Sequence, residues 1–178
     1  MPFKRVLVES FILIFLLILV SCNQDKKTER KTSPKIDKQE IEEINKHLIN
    51  KDTEVIKNYI DRRGWDMQMT NTGLWYMIYD EGKGKQVKKG VEVSIDYDVW
   101  LIDGTLWYTS DSLGVKQFIV GQGGVESGLE EGVLLLNEGS KARFIMPPHL
   151  AHGLIGDENR IPARAIIIYD IEILNVNE

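Results

Sequence analysis

The sequence predicts an α+β domain in which an antiparallel sheet wraps a short helix, with a small helical segment ahead of it. Three patterns carry this reading. Apolar residues recur at three- and four-residue steps between Ile36 and Ile60, which is the helical period. From Thr70 onward they alternate with a period of two, as half-buried strands do. Inside that β-rich region Ser127–Leu136 returns to helical spacing. The chain has 178 residues, 43% hydrophobic and 28% charged, with a net charge of −5. This length suits one domain with attachments, and the composition suits a packed core. There is no basic surplus, so no nucleic-acid partner is expected.

The N-terminus reads as a targeting segment rather than part of the fold. Lys4 and Arg5 make a positive start, and Phe11–Val20 is an unbroken apolar run, too short to span a bilayer comfortably. Residues 1–21 therefore read as a secretory signal. Leu19-Val20-Ser21-Cys22 resembles a bacterial lipobox, in which the cysteine is lipidated and heads the mature chain. An ordinary cleaved signal and an uncleaved anchor are the alternatives. Cys22 is the single cysteine, so the fold must stand on its core without a disulfide. Residues 22–35 read as a disordered tether, because Asn23–Lys35 is charged and has no apolar residue to bury.

Residues 36–66 form the helical segment. Ile41, Ile44, Leu48, Val55, Ile56, Tyr59 and Ile60 mark its apolar stripe. Asn50-Lys51-Asp52-Thr53 interrupts it, and Asp52 or Thr53 can cap a second helix. The expectation is a helical pair packed on the main domain, with dimerisation as the alternative. His47, beside Leu48, reads as a surface or half-buried side chain.

Residues 67–178 form the main domain. Leu74–Tyr79 is its first strand, closed by the polar turn Asp80–Lys85. Val91, Val93, Ile95, Tyr97, Val99 and Leu101 alternate with mostly polar neighbours, giving a strand with one apolar face. Asp103-Gly104 turns the chain into Thr105–Thr109, and Phe118–Val120 is a short strand. The helix Ser127–Leu136 presents Leu129, Val133 and Leu136 on one face, with Glu130 and Glu131 near its N-terminal end, where the helix dipole favours acids. Strands with Ala142, Phe144 and Met146, and then Ala165–Leu174, complete the sheet.

Two motifs invite sharper chemistry. Gly121-Gln122-Gly123-Gly124 suggests a dinucleotide loop, but Glu126 stands where that fingerprint needs its last glycine, and the flanking pattern is antiparallel. A tight turn into the helix is the better reading. His149 and His152 suggest a metal, but their spacing is i, i+3, Leu150 and Ala151 lie between them, and no third ligand is suggested. Asp157 and Glu158 read as turn residues. No nucleophile elbow is present. No metal or cofactor is expected.

Several stretches together resemble one family. T-G-L-W-Y-M-I, V-S-I-D-Y-D-V-W-L-I-D-G-T-L-W, F-I-V-G-Q-G-G-V-E-S-G-L-E-E-G-V-L-L-L-N-E-G-S-K-A-R-F-I-M-P, H-L-A-H-G and I-P-A-R-A-I-I-I-Y-D-I-E-I-L resemble an FKBP-type peptidyl-prolyl cis–trans isomerase in order and spacing. The resemblance covers roughly three-fifths of the chain, from about Thr70 onward. The lipobox, the helical preface and the His149–Pro162 wording are similar to FKBP-type lipoproteins of Bacteroidetes-like bacteria, some associated with gliding motility.

The resemblance implies an FKBP-like fold and a prolyl pocket. Tyr97, Trp107, Phe118 and Tyr169 fall on its aromatic positions. Val125 and Glu126 fall on the corner where a backbone N–H receives a substrate carbonyl, Leu129 on the floor, and Ile161 on the apolar lip. His152 replaces a tyrosine that donates to the ligand, a role an imidazole can also fill. Tyr108 stands where the family has aspartate, Leu129 is smaller than the family's tryptophan, and Glu126 replaces an apolar residue. The activity implied is isomerisation of Xaa-Pro bonds in envelope proteins, from a lipid anchor in the outer membrane facing the periplasm. A binding module or chaperone in an envelope complex is the alternative, and a hydrolase using the two histidines a third reading. The implied partners are proline-containing segments and the membrane. Oligomeric state is left open.

Overall fold

The structure is a computed structural model that describes residues 37–177. The signal, Cys22 and the tether lie outside the described residues. Helix α1 spans Lys38–Arg63. The strands are β1 (Gln68–Met69), β2 (Trp75–Asp80), β3 (Glu92–Leu101), β4 (Leu106–Thr109), β5 (Lys116–Ile119), β6 (Lys141–Met146) and β7 (Ile167–Asn177). Helix α2 (Ser110–Leu113) joins β4 to β5, helix α3 (Ser127–Val133) follows β5, and a 3₁₀ turn, Pro148–Leu150, follows β6. Every pairing is antiparallel, in the order β1-β2-β6-β7-β3-β4, with β5 also beside β3.

The expected helical pair is a single helix. Asn50-Lys51-Asp52-Thr53 contains no proline or glycine, so nothing in it forces a break. Thr53 Oγ1 donates to the Ile49 carbonyl at 2.8 Å, one turn back, instead of capping a new helix. Asp52 pairs with Arg164 at 2.9 Å. Only the C-terminal half packs: Ile56, Tyr59 and Ile60 are buried with Ile145, Ile166 and Ile168 on one face of the sheet. Ile41, Ile44 and Ile49 stay exposed. Among the described residues, no helix is long and apolar enough to cross a membrane.

Helix α3 fills the other face. Leu129 and Val133 are fully buried there against Phe144, Met146, Ile167, Tyr169 and their neighbours. Its two glycines set the depth of packing. A Cβ on Gly132 would lie 2.7 Å from the Phe144 ring, and one on Gly128 2.9 Å from Met146 Sδ. Strand alternation then divides β6 and β7 between the two faces: Phe144 and Tyr169 pack inward, Ile145 and Ile168 outward. Alternation in β3 alone predicts a mostly polar outer face. The docking of α1 explains why Trp100 is instead half-buried there. Ser94 departs as well. It is buried, although Val93 and Ile95 on either side keep the inward alternation; the register shift beside it falls on β7, where Leu174 is the extra residue.

The glycine-rich turn Gly121–Gly124 is occupied by the chain itself. The N–H groups of Gly121 and Gly123 donate to Glu130 Oε1 at 3.2 and 2.9 Å. Glu130 thus reaches back from α3 and fills a concavity that would otherwise suit an anion. Helix α1 and the sheet belong to one compact unit, Lys38–Glu178.

Candidate active site

The sheet opens where β3 changes partners. β4 pairs with Asp98–Trp100 and β5 with Glu92–Ile95. Between these pairings Asp96 and Tyr97 have no strand on that edge. Helix α2 crosses the gap, and Ser110 supplies what a strand would: its Oγ accepts the Tyr97 N–H at 3.2 Å and donates to the Asp96 carboxylate.

A cavity of about 560 Å³ lies at this opening. Tyr97 and Tyr169 form two walls, their ring centroids 6.2 Å apart. Tyr108, Leu113, Lys116, the Gly124–Glu126 corner, Ala151 and His152 complete the lining. Five of the nine residues expected at the site therefore meet here: Tyr97, Val125, Glu126, His152 and Tyr169.

The other four do not line the cavity. Leu129, fully buried, is core beneath α3. Phe118 pairs with Val93 and is buried in the same cluster. Ile161 is buried, and its N–H donates to Asp157 Oδ1 at 2.7 Å. Trp107 is left out of the strand pairing: Tyr108 is opposite Val99 and Leu106 opposite Trp100, so Trp107 is the extra residue of a bulge, and Tyr108 is the one that lines the cavity. The Trp107 carbonyl accepts from Arg160 at 3.3 Å.

Lys116 lines the cavity and was missed from sequence. It sits two residues before Phe118 on β5, so alternation alone puts both on one face. Its Nζ donates to the Tyr169 hydroxyl at 3.0 Å and lies 4.8 Å from the centre of the Tyr97 ring. The Tyr169 hydroxyl donates in turn to Glu126 Oε1 at 2.9 Å. His152 Nε2 approaches the same oxygen at 3.1 Å.

These neighbours set the ionisation of the site. Burial works to raise the Glu126 pKa, but His152, the Lys116 charge and the Tyr169 hydroxyl outweigh it and hold the carboxyl at about 2. The Glu126 contact raises His152 above its ordinary value, against the opposing effect of burial. Burial, then Glu126, pushes Tyr169 up, so its hydroxyl keeps its proton. Asp157 behaves as a turn residue with an added task. Its Oδ1 accepts the N–H groups of Asn159, Arg160 and Ile161, and its Oδ2 accepts from the Tyr108 hydroxyl. Burial opposes ionisation there too, yet the Tyr108 and backbone donors hold Asp157 at about 2. Asp157 thereby fixes Tyr108 at the mouth of the cavity.

The two histidines diverge. The His149 ring meets the Thr72 carbonyl at 2.9 Å while His152 turns to Glu126. Among the described residues, no cluster of three or more His, Cys, Asp or Glu could hold a metal ion.

Residues 83–174 match the family described as FKBP-type peptidyl-prolyl cis-trans isomerase. The FKBP-type isomerase FkpA of Buchnera aphidicola (from Schizaphis graminum) is 34% identical over 122 residues, covering 68% of this chain and 47% of that protein. The FK506-binding protein of Neisseria meningitidis serogroup B is 34% identical over 107 residues, covering 60% of this chain and 98% of that protein. The crystal structure of FkpA from Escherichia coli superposes with a TM-score of 0.63 at 27% identity, over 80% of this chain and 74% of that one. The chain spans about half the length of the Buchnera FkpA it matches, 47%. By sequence and by fold, then, the chain belongs to the FKBP-type peptidyl-prolyl cis-trans isomerase family.

Proposed function

We propose that this chain catalyses cis–trans isomerisation of Xaa-Pro bonds in polypeptides of the cell envelope. The observation that carries the reading is the cavity at the break in the sheet, walled by Tyr97 and Tyr169 and cornered by Val125, inside the stretch that matches the family. Amide rotation faces a barrier of ~18–20 kcal/mol because resonance gives the C–N bond partial double-bond character. The planar amide is the more polar form, and water stabilises it. A prolyl amide enclosed by aromatic walls loses that hydration, which favours the twisted, less polar state. The residues need only bind, orient and exclude water. X–Pro exchange is slow enough to limit folding, so clients outside the cytoplasm would benefit.

One observation favours a second reading, a binding module with little turnover. Lys116, Glu126 and His152 bring charge into the cavity, where amide desolvation needs apolar surroundings. Exchange spectroscopy of an Ala-Leu-Pro-Phe peptide with substoichiometric protein separates the two. Faster exchange supports the isomerase. Saturable binding with an unchanged exchange rate would leave only the binding module.

The same proposal places the protein in the envelope, lipidated at Cys22 and facing the periplasm from the outer membrane; the alternative is a binding module or chaperone in an envelope complex such as a gliding apparatus. Its support is the signal and the Leu19–Cys22 sequence. Mass spectrometry of the mature N-terminus checks it: a diacylated Cys22 is expected, lost on Cys22→Ser, and an unmodified or uncleaved N-terminus would contradict it.

A further inference from the structure

We propose that Lys116 makes this site select prolines preceded by an acidic residue. The inference rests on the prolyl-site reading and adds a substrate class to it.

Lys116 is fixed, reachable and incompletely neutralised. Its ammonium lies 4.8 Å from the Tyr97 ring centre and 5.4 Å from that of Tyr169, and it donates to the Tyr169 hydroxyl at 3.0 Å. Rings on two sides hold the cation in place, so little side-chain freedom is lost when a ligand meets it. An ammonium has three donors, and one is spent on Tyr169. The Lys116 side chain is 27% exposed, so a ligand can reach it.

Glu126 is the anion paired with this charge, and it is shared. Its Oε1 is committed to the Tyr169 hydroxyl and to His152. Its Oε2 is buried without a hydrogen-bond partner and stays 4.0 Å from Lys116 Nζ. His152 draws on the same carboxylate, so one anion serves two basic groups. Asp157 is occupied by Tyr108 and three backbone donors. A substrate carboxylate beside the proline would complete the coordination of Lys116 without displacing any of these contacts.

A competing field exists. A second cleft shares Tyr97 and carries Asp96, Asp98 and Asp111, and if it dominated the approach it would favour a basic residue instead. The direction of selectivity therefore tests the role of Lys116.

The experiment compares Ala-Xaa-Pro-Phe peptides with Xaa as Glu, Leu and Lys, reading catalysed exchange over the spontaneous rate by NMR. The expected result is a Glu over Lys preference of at least about threefold to fivefold, the scale of one partly exposed charge contact. Lys116→Met should bring that ratio near one, Lys116→Arg should restore it, and 0.5 M salt, ~0.5 M being enough to shorten the Debye length to a few ångströms, should compress it. The ratio is read within each variant, so a general loss of activity cancels. Equal Glu and Lys rates, a Lys preference, or a Glu preference that survives Lys116→Met would overturn the proposal while leaving isomerisation intact. If no peptide is accelerated, the isomerase reading falls. Anisotropy binding of the same labelled peptides then decides selection separately, and binding without a Glu preference, or no binding, overturns it.

Discussion

Glu126→Gln tests the ionic centre of the site. The substitution keeps the shape and removes the charge that Lys116, His152 and Tyr169 converge on. The Glu126 side chain is 8% exposed, so solvent screens little of the effect. A carboxyl held at about 2 in place of its ordinary 4.5 contributes about 3 kcal/mol of stability at neutral pH. Replacing it should cost a comparable amount, or roughly 10 °C in Tm for a domain of this size. The pH dependence has a definite sign. A depressed carboxyl pKa gives stability that is full above about 4.5 and is lost as pH falls towards 2. The parent protein should therefore lose stability steeply across that window, and Glu126→Gln should lose less. His152, raised by the same contact, works from the other side: its contribution is present at acid pH and fades as pH rises through its raised value. Urea denaturation from pH 2 to 8 gives the stability curves, and imidazole NMR titration gives His152 directly. A fall of the His152 pKa in the variant is expected. Equal stability of the two proteins at pH 7 together with an unmoved His152 would refute the network.

Two further outcomes follow from packing and hydrogen bonding. Gly132→Ala sets a methyl 2.7 Å from the Phe144 ring, and should destabilise by about 1–3 kcal/mol although alanine is the better helix former. Chemical denaturation reads this, and a stabilised variant would mean α3 does not lie this close to β6. Tyr108→Phe removes a donor from Asp157, and should cost about 1 kcal/mol while moving the Asp157 pKa up from about 2, followed by carboxyl NMR titration.

Much of this architecture was legible because alternation and helical spacing report which face is buried. The strand around Tyr97, the helix around Leu129 and the last strand around Tyr169 all announced themselves in that way. Elements without a period did not. Gln68–Met69 is two residues long, and Ser110–Leu113 exists because β3 changes partners there. The break read at Asn50–Thr53 rested on polar residues that a helix tolerates when their side chains find partners, as Asp52 does in Arg164. At the site, Trp107 and Tyr108 are neighbours in sequence, and only the bulge that leaves Trp107 unpaired and sets Tyr108 opposite Val99 decides which one lines the cavity. Lys116 was passed over because a lysine suggests solvent. Its place two residues before buried Phe118 was the available signal, and its partners Tyr169 and Glu126 come from distant segments that only the fold assembles.

The central claim is that a prolyl residue occupies the cavity between Tyr97 and Tyr169 and turns over there. Titrating the protein with Ala-Leu-Pro-Phe carrying ¹³C-labelled proline, and recording exchange and intermolecular NOEs in one sample, tests it most directly. The account predicts accelerated cis–trans exchange with contacts from the proline ring to Tyr97, Val125 and Tyr169. Unchanged exchange, or contacts that fall on the acidic cleft of Asp96, Asp98 and Asp111 instead, would contradict it.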